Sequence, residues 1–409
     1  MRRTSLPVRA VTEPDVGVPR EDERGAVARV LAASINVPLD RTLERSSIWH
    51  LDDVRVGRVD GAVVAVGAEV RFHQWFGGRP VDCSGIWGVG TLPEHRGSGL
   101  ASSVTGAVLD DARARGDAIT ALFPAVLPPY RRLGFELAGT YVQHQVELDA
   151  LPAAGGHDLP AVEIADPERD VRAIRELFDR WAAAHNGPVA PREDAWWVER
   201  WLSHPYDPMF RALVVRGDDG PEGFATVTRE PASGPLGDVS FGLSCEPLVA
   251  TTERALRAIL EYLRAHRGIG RWARWSAPPH DPVSLLLPEA QLSTGLRYLW
   301  MLRILDVARA LEARGYPPVD VDVTFAVEDP RYAENSRGWR LRVAAGSPSV
   351  EPAPTPARPL PIGALSSMYT GFLRADDAVL LGFLDRADPV VDGFRTLFAG
   401  PDPWNPWWF

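Results

Sequence analysis

The sequence predicts a mixed α/β chain, of the α+β kind, made of three units, and three observations carry this. The 409 residues amount to two to four domains at roughly 100–200 residues each. Two-residue and 3.6-residue apolar periods alternate along the chain, so strands and helices are interleaved. One order of elements is read over the first part and repeats, more weakly, before a third stretch of different pattern. The predicted units are 1–152, 153–297 and 298–409.

In the first unit Val8–Val11 reads as a short strand and Asp22–Ala33 as a helix. Val54–Val56, Ala62–Val70 and Arg71–Trp75 read as strands broken by Gly61 and by Gly77-Gly78. A further strand, Gly85–Thr91, leads through Pro93 into a glycine-rich turn and a helix on which Leu100, Val104, Val108 and Ala112 share one face. Ala118–Phe123 is a buried strand, Pro129–Leu133 a short helix, Tyr141–Leu148 an alternating strand and Leu151–Gly156 a linker. The second unit repeats the order with strands at Val162–Ile164, Ala212–Val215, Gly223–Val227, Val239–Leu243 and Trp272–Ser276, and helices at Val171–Ala184 and Thr252–Ala265. Where the first unit has its glycine-rich turn, this copy has Glu246-Pro-Leu-Val-Ala-Thr-Thr252. Without glycine its backbone is less able to approach a phosphate, so the copy is expected to be structural. In the third unit Trp300–Ala313 reads as a helix, Asp320–Val327 and Trp339–Val343 as strands, and Ile362–Tyr369 and Ala378–Arg386 as helices; Pro348–Pro361 reads as a loop within the domain, with an interdomain tether or a partner ligand as the alternative.

Composition narrows the function. Hydrophobic residues make up 45% and charged residues 24%, which excludes a disordered, collagenous or coiled-coil chain as a whole. Lysine is absent, so all 44 basic residues are Arg. Schiff-base chemistry and a phosphate-loop lysine are thereby removed, since guanidinium cannot replace the amine. A net charge of −10 argues against nucleic acid as a partner and is compatible with a cationic substrate. Cys83 and Cys245 have no redox or metal-ligand spacing, and no His, Cys, Asp and Glu cluster suits zinc, so no metal is expected. The start has no signal-peptide core, and no apolar run reaches about 18 residues, so a cytoplasmic protein without membrane partners is expected.

The strongest local signal is Arg96-Gly-Ser-Gly-Leu-Ala101, after a strand and opening a helix. Free N–H groups at a helix start attract anions, and small residues let a pyrophosphate come close. A tight turn that merely needs glycine is the alternative. Gly88-Val-Gly90 lacks the third glycine of a dinucleotide fingerprint, and no Gly-Lys-Ser/Thr exists.

At this loop the chain resembles the GCN5-related N-acetyltransferase (GNAT) family, whose coenzyme A loop has the form Arg/Gln-x-x-Gly-x-Gly/Ala. Arg96, Gly99 and Ala101 fill its defining positions. Pro93-Glu-His-Arg96, Tyr130-Arg-Arg-Leu-Gly-Phe135 and a terminal Phe look like the Eis group, with further matches at Val307–Tyr316, Trp339-Arg-Leu and Ala364–Tyr369. That resemblance implies two GNAT folds, the second degenerate, followed by a sterol carrier protein-like domain, and it spans essentially the whole chain.

It also implies roles. Acetyl-CoA is the cosubstrate, with main-chain groups of Val89, Gly90 and Thr91 along its pantetheine arm. Arg96, Gly97, Ser98, Gly99, Leu100, Ala101 and Ser102 lie at the pyrophosphate, and Ala125 and Val126 at the thiol end. Tyr130 matches the general acid, and phenol and thiol pKa values within about two units make the proton transfer reasonable. The α-carboxylate of Phe409 is implied as general base. Free, it titrates near roughly 3.5, and an apolar setting of Trp404, Trp407 and Trp408 would raise it; alternatively it holds the ammonium while water relays the proton. His73, His95 and His144 are rival bases. The implied acceptors are small-molecule amines of the polyamine type, such as aminoglycosides, or lysine side chains, in a wide acidic pocket. Asp15, Glu21, Asp22, Glu23, Asp40 and Glu44 would flank it and Trp49, Trp75 and Trp87 would wall it, although such an acidic run is also what a solvated face looks like. A homohexamer is implied. An acyl-CoA sensor or a lipid or sterol-like carrier without catalysis stays open as the alternative.

Overall fold

A sheet of 14 strands runs through the first two units, and a separate four-stranded sheet forms the third. The structure is a computed structural model that describes residues 15–35, 37–46, 49–153, 158–204, 207–234, 237–356 and 358–409. The expected strand Val8–Val11 and the linker residues Ala154–Gly156 lie outside them.

Strands β1 (Asp15–Gly17), β2 (Val54–Val59), β3 (Ala62–Phe76) and β4 (Arg79–Thr91) make an antiparallel meander, with helices α1 (Arg24–Ile35) and α2 (Leu39–Ser46) between the first two. The two strands expected over 62–75 are one. Helix α3 (Leu100–Arg115) buries Leu100, Val104, Val108 and Ala112, the face its spacing announced. Strand β5 (Ile119–Leu122), helix α4 (Pro128–Arg132) and strand β6 (Glu136–Glu147) follow. The second unit has β7 (Val162–Ile164), α5 (Pro167–Ala182), β8 (Val189–Pro191), α6 (Asp194–Trp197), β9 (Arg211–Gly217), β10 (Gly220–Pro231), β11 (Phe241–Cys245), β12 (Leu248–Ala250), α7 (Glu253–Arg264) and β13 (Gly270–Ser276).

The two units are joined by a strand expected to be a helix. Trp300–Ala313 divides into β14 (Ser293–Ile304) and α8 (Val307–Ala313), and the predicted unit boundary after residue 297 falls inside β14. Trp300, Met301, Leu302 and Ile304 are buried on both faces of the sheet, so the segment reads as an apolar run interrupted by Arg303 rather than as an alternation. The local signal for the break is Asp306, whose carboxylate accepts from the Arg309 N–H and caps α8. Strand β14 lies antiparallel between β5 and β6, and β6 in turn pairs with β13, giving the order β1-β2-β3-β4-β5-β14-β6-β13-β11-β10-β9-β7.

The third unit is β15 (Val321–Glu328), β16 (Gly338–Ala344), β17 (Ser347–Ala353) and β18 (Pro359–Pro361), with helices α9 (Ile362–Thr370), α10 (Ala375–Leu380) and α11 (Val390–Leu397). The loop expected at Pro348–Pro361 thus holds two strands. Both are outermost in the order β17-β16-β15-β18, where a residue without an N–H is tolerated. Buried Arg303 of β14 reaches Asp329 at 2.8 and 2.9 Å, and the Ile304 N–H donates to Ser366 Oγ, so the third unit is bolted to the central strand.

The chain then returns to the first two units. The Thr140 N–H donates to the Pro403 carbonyl and the Asn405 N–H to the Thr140 carbonyl, while the Trp404 N–H reaches the Asn186 carbonyl and Trp407 Nε1–H the Val189 carbonyl. Residues 403–407 are held between β6 and the α5–β8 connection, which fixes where the last two residues emerge.

Candidate active site

The site begins with a bulge. Opposite Val66 to Ala68 of β3, strand β4 spends one residue more than its partner, between Trp87 and Gly90. Gly88 sits there at φ +62°, a conformation open to glycine and costly to other residues. A bulge bends its strand and ends pairing. Accordingly, parallel β4 and β5 pair only from Cys83↔Ile119 to Ile86↔Leu122, and beyond Ile86 strand β4 continues alone on that edge. Across the gap, β14 pairs with β5 only over Met301–Ile304 and leaves Ser293–Trp300 unpaired on that side. The gap therefore has a free β edge, Trp87–Thr91, for one wall.

At the end of that wall lies the loop before α3. Gly97 and Gly99 adopt φ of +82° and +88°, and a Cβ on either would meet no atom within 4 Å. Gly99 is the N-cap and no side chain caps the helix, so its first-turn N–H groups are left for an incoming acceptor. Ser98 Oγ is turned back to the His95 carbonyl at 2.6 Å, Leu100 is buried in the core, and Ala101 and Ser102 are half-buried on the first turn. The Arg96 side chain is exposed and has no partner among the described residues. Ala125 and Val126 follow β5 at the mouth of the gap and are exposed. The glycine loop offers free N–H groups to a pyrophosphate, and the unpaired β4 edge offers main-chain partners to an extended chain.

Tyr130 and Phe409 approach from the two faces of the sheet. Tyr130 packs with Val89 and Leu127 against the cluster of Ile86, Val108 and Phe135, its ring 6.1 Å from that of Phe135. Its hydroxyl has no hydrogen-bond partner among the described residues, and burial pushes the phenol above its ordinary pKa. The residue before Ile86 faces the other way. A Cβ on Gly85 would strike Phe72 at 2.1 Å and come within 3.0 Å of Phe409, so glycine here makes room for both rings. The Phe409 ring lies 4.6 Å from Phe72 and 5.3 Å from Phe123, the residue that follows β5. Sequence reasoning missed Phe72, Gly85, Gly88 and Phe123; glycines inside a strand were the available signal for the bulge and the close approach.

Of the other candidates, Trp87 begins the free β4 edge and His95 directly precedes the glycine loop, whereas His144, His73 and Trp75 are placed elsewhere. His144 is buried with both ring nitrogens bonded, at 2.8 Å each, to Thr294 Oγ1 and the Pro278 carbonyl oxygen. His73 faces Asp82 near the opposite end of β4. Trp75 is a core residue and walls nothing, whereas Trp49 and Trp87 meet edge to face at 5.9 Å and are half-buried. Of the acidic set, Glu21 is bonded by Arg24 and Asp22 lies 3.4 Å from Arg20, while Asp15 and Asp40 are exposed; the side chain of Glu44 lies outside the described residues.

Glu23 is buried and bound by Arg58 at 2.9 and 2.8 Å. Hydrogen bonds from Arg58 pull its carboxyl from 4.5 down to about 2. A depressed carboxyl stabilises the fold above its unfolded value and ceases to as pH falls through the folded one. The melting temperature should therefore fall between pH 4.5 and 2 more steeply in the wild type than in Glu23→Gln, which should already be less stable at neutral pH. Parallel curves would refute the assignment.

Among its described residues the second unit has neither the gap nor a glycine loop. Strand β11 stays paired with β13 to its last residue, Cys245↔Trp275, and β12 fills the place of the glycine turn.

A sheet whose two central parallel strands part in front of an uncapped, glycine-led helix defines an acyltransferase fold, here present twice with one intact gap. The pattern described as an acetyltransferase (GNAT) domain matches residues 19–138, a second of that description matches 189–304, and a sterol carrier protein domain matches 307–406. An uncharacterized N-acetyltransferase of Streptomyces griseus is 28% identical over 348 residues, covering 81% of this chain and 82% of that one. A GCN5-related N-acetyltransferase from Anabaena variabilis superposes with a TM-score of 0.88 at 25% identity, over 97% of this chain and all of that one. Eis1 from Mycobacterium abscessus shares the fold over 97% of this chain and 100% of its own, with a TM-score of 0.79 at 21% identity. The chain is a GCN5-related N-acetyltransferase with tandem acetyltransferase domains and a C-terminal sterol carrier protein domain. Among its described residues no helix is long and apolar enough to cross a membrane.

Proposed function

We propose that the first domain transfers the acetyl group of acetyl-CoA directly to an amine of a cationic, polyamine-type small molecule, with lysine side chains in the same class of acceptor. The observation that carries this is the parting of β4 and β5 beyond Ile86 and Leu122, with the Gly97–Gly99 loop at one end and Tyr130 and Phe409 on its two faces. Acetyl-CoA supplies a thioester whose carbonyl carbon takes the amine and whose sulfur leaves with the electron pair. Backbone N–H groups along Val89–Thr91 orient the pantetheine arm and polarise the carbonyl. The α-carboxylate of Phe409 holds the ammonium and takes its proton, and the Tyr130 hydroxyl gives one to the departing sulfur. No acyl-enzyme is needed, so one bond forms at nitrogen as one breaks at sulfur. The cytoplasm, where the two buried thiols stay reduced, and a homohexamer complete this reading.

Thiol release from acetyl-CoA, followed across polyamines, aminoglycosides, arylamines and lysine peptides, tests it. Saturable release with polyamines is the expected result. Tight acetyl-CoA binding with no release for any amine would instead describe an acyl-CoA sensor.

A further inference from the structure

The second domain, which lacks the nucleotide loop, contributes to another feature. A cavity of about 420 Å³ opens between β6, β10, β11, β13 and β14, and the last tryptophans of the chain, Trp407 and Trp408, close one side of it. It borders the proposed active site through a run of rings. Tyr141 stacks on Tyr298 at 6.2 Å and Tyr298 on Trp408 at 6.3 Å, while Phe123 lies 6.1 Å from Tyr141 and 5.3 Å from Phe409.

Glu246 stands in the cavity wall, the first residue of the stretch that replaces the glycine turn. Its Oε1 accepts from Tyr141 Oη–H and Gln143 Nε2–H, both at 2.5 Å, and from Ser276 Oγ–H at 3.2 Å. All three donors are neutral, and Glu246 has no ion pair among the described residues. Its Oε2 accepts no hydrogen bond there, and Gln143 Oε1 is buried without a partner. Two unspent oxygen acceptors, one carrying charge, thus lie on two hydrogen-bonded side chains of the cavity lining, and no ion pair answers them among the described residues. The arginines of the cavity do not. Arg274 is committed to both oxygens of Glu230 at 2.5 Å, and Arg200 donates to the Trp408 carbonyl and lies over the Trp407 ring. Arg297 is exposed on β14. A half-buried carboxylate without a cationic partner is costly unless a cation arrives. The neighbouring stack of Tyr141, Tyr298 and Trp408 offers an apolar and π-rich path suited to an alkyl ammonium.

We propose that Glu246 and Gln143 hold the distal ammonium of a diamine acceptor whose other amine is acetylated beside Phe409, so that the second domain is the acceptor-selecting half of the site. The proposal rests on the amine-acetylating reading above and narrows its acceptor to linear diamines and polyamines whose amines are spaced by an alkyl chain. It also gives the degenerate copy a task other than the structural one its sequence suggests.

The test compares cadaverine with pentylamine, which has the same carbon chain and one amine, at saturating acetyl-CoA with the full-length protein. The wild type should prefer cadaverine through a lower KM. Removing a charged hydrogen-bond partner should make Glu246→Gln lose about tenfold of that preference, while acetyl-CoA affinity and melting temperature hold. Arg297→Gln, which removes a like charge from the exposed rim, should shift the cadaverine KM the other way. Calorimetric titration of cadaverine into each protein without acetyl-CoA reads the pocket independently of turnover. An undiminished preference in Glu246→Gln, with unchanged cadaverine binding, would overturn the proposal and leave amine acetylation standing. Cadaverine binding that Glu246→Gln abolishes, with no transfer to any amine, would uphold the pocket and sink the acetylation reading.

Discussion

Replacing Tyr130 by Phe is expected to lower kcat by about a hundredfold or more, the range that a positioned general acid contributes, while the Kd for acetyl-CoA stays where it was. The ring is what packs: it sits with Val89 and Leu127 against Ile86, Val108 and Phe135, and phenylalanine preserves all of that. The hydroxyl is what the fold leaves unspent, since nothing among the described residues bonds it. Burial raises its pKa, so it keeps its proton through neutral pH and gives it up only as negative charge grows on sulfur. Two measurements settle the role: single-turnover rates with a reactive amine, and acetyl-CoA titration by calorimetry. A variant that turns over as fast as the wild type would reduce Tyr130 to a packing residue. One that loses turnover together with acetyl-CoA binding would assign it to the cofactor wall instead.

Legibility in the sequence followed the range of the interactions. Helix α3 and the loop before it were readable because their signals are local: apolar residues every four positions, and glycines where a helix starts. Strand β14 was not readable, because a strand buried on both faces carries the same apolar run as a buried helix, and its partners β5 and β6 lie far back in the chain. The prolines of β17 read as loop in sequence because their tolerance depends on standing at an edge, which is a property of the sheet and not of the segment. The site divides in the same way. Arg96 to Ser102 and Tyr130 are local motifs, whereas the gap they face comes from a register shift at Gly88, and the Glu246 cavity joins groups 103 and 105 residues apart. The acidic run 15–44 illustrates the converse: the family resemblance implies an acidic rim there, but partners decide availability, and Glu21 and Glu23 are taken by Arg24 and Arg58.

Adding one glycine after Phe409 is expected to reduce kcat by about a hundredfold or more without loosening acetyl-CoA, because it converts the carboxylate proposed as the base into a neutral amide and moves the charge one residue onward. The position of the terminal segment is over-determined. Backbone bonds at Thr140, Asn186 and Val189 hold residues 403–407, the Trp408 carbonyl accepts from Arg200, and the Phe409 ring fits the space that Gly85 leaves beside Phe72. An extra residue therefore need not disturb the ring, and the melting temperature should hold. Arg200 offers a control on the same backbone: Arg200→Gln keeps the carboxylate while removing the hydrogen bond to the Trp408 carbonyl and the guanidinium over Trp407, so its kcat should fall less than that of the lengthened chain. If the lengthened chain acetylates amines at the wild-type rate, the carboxylate is not the base. Water in the gap would then take the ammonium proton, and the aromatic segment before Phe409 would serve only to close the acceptor side.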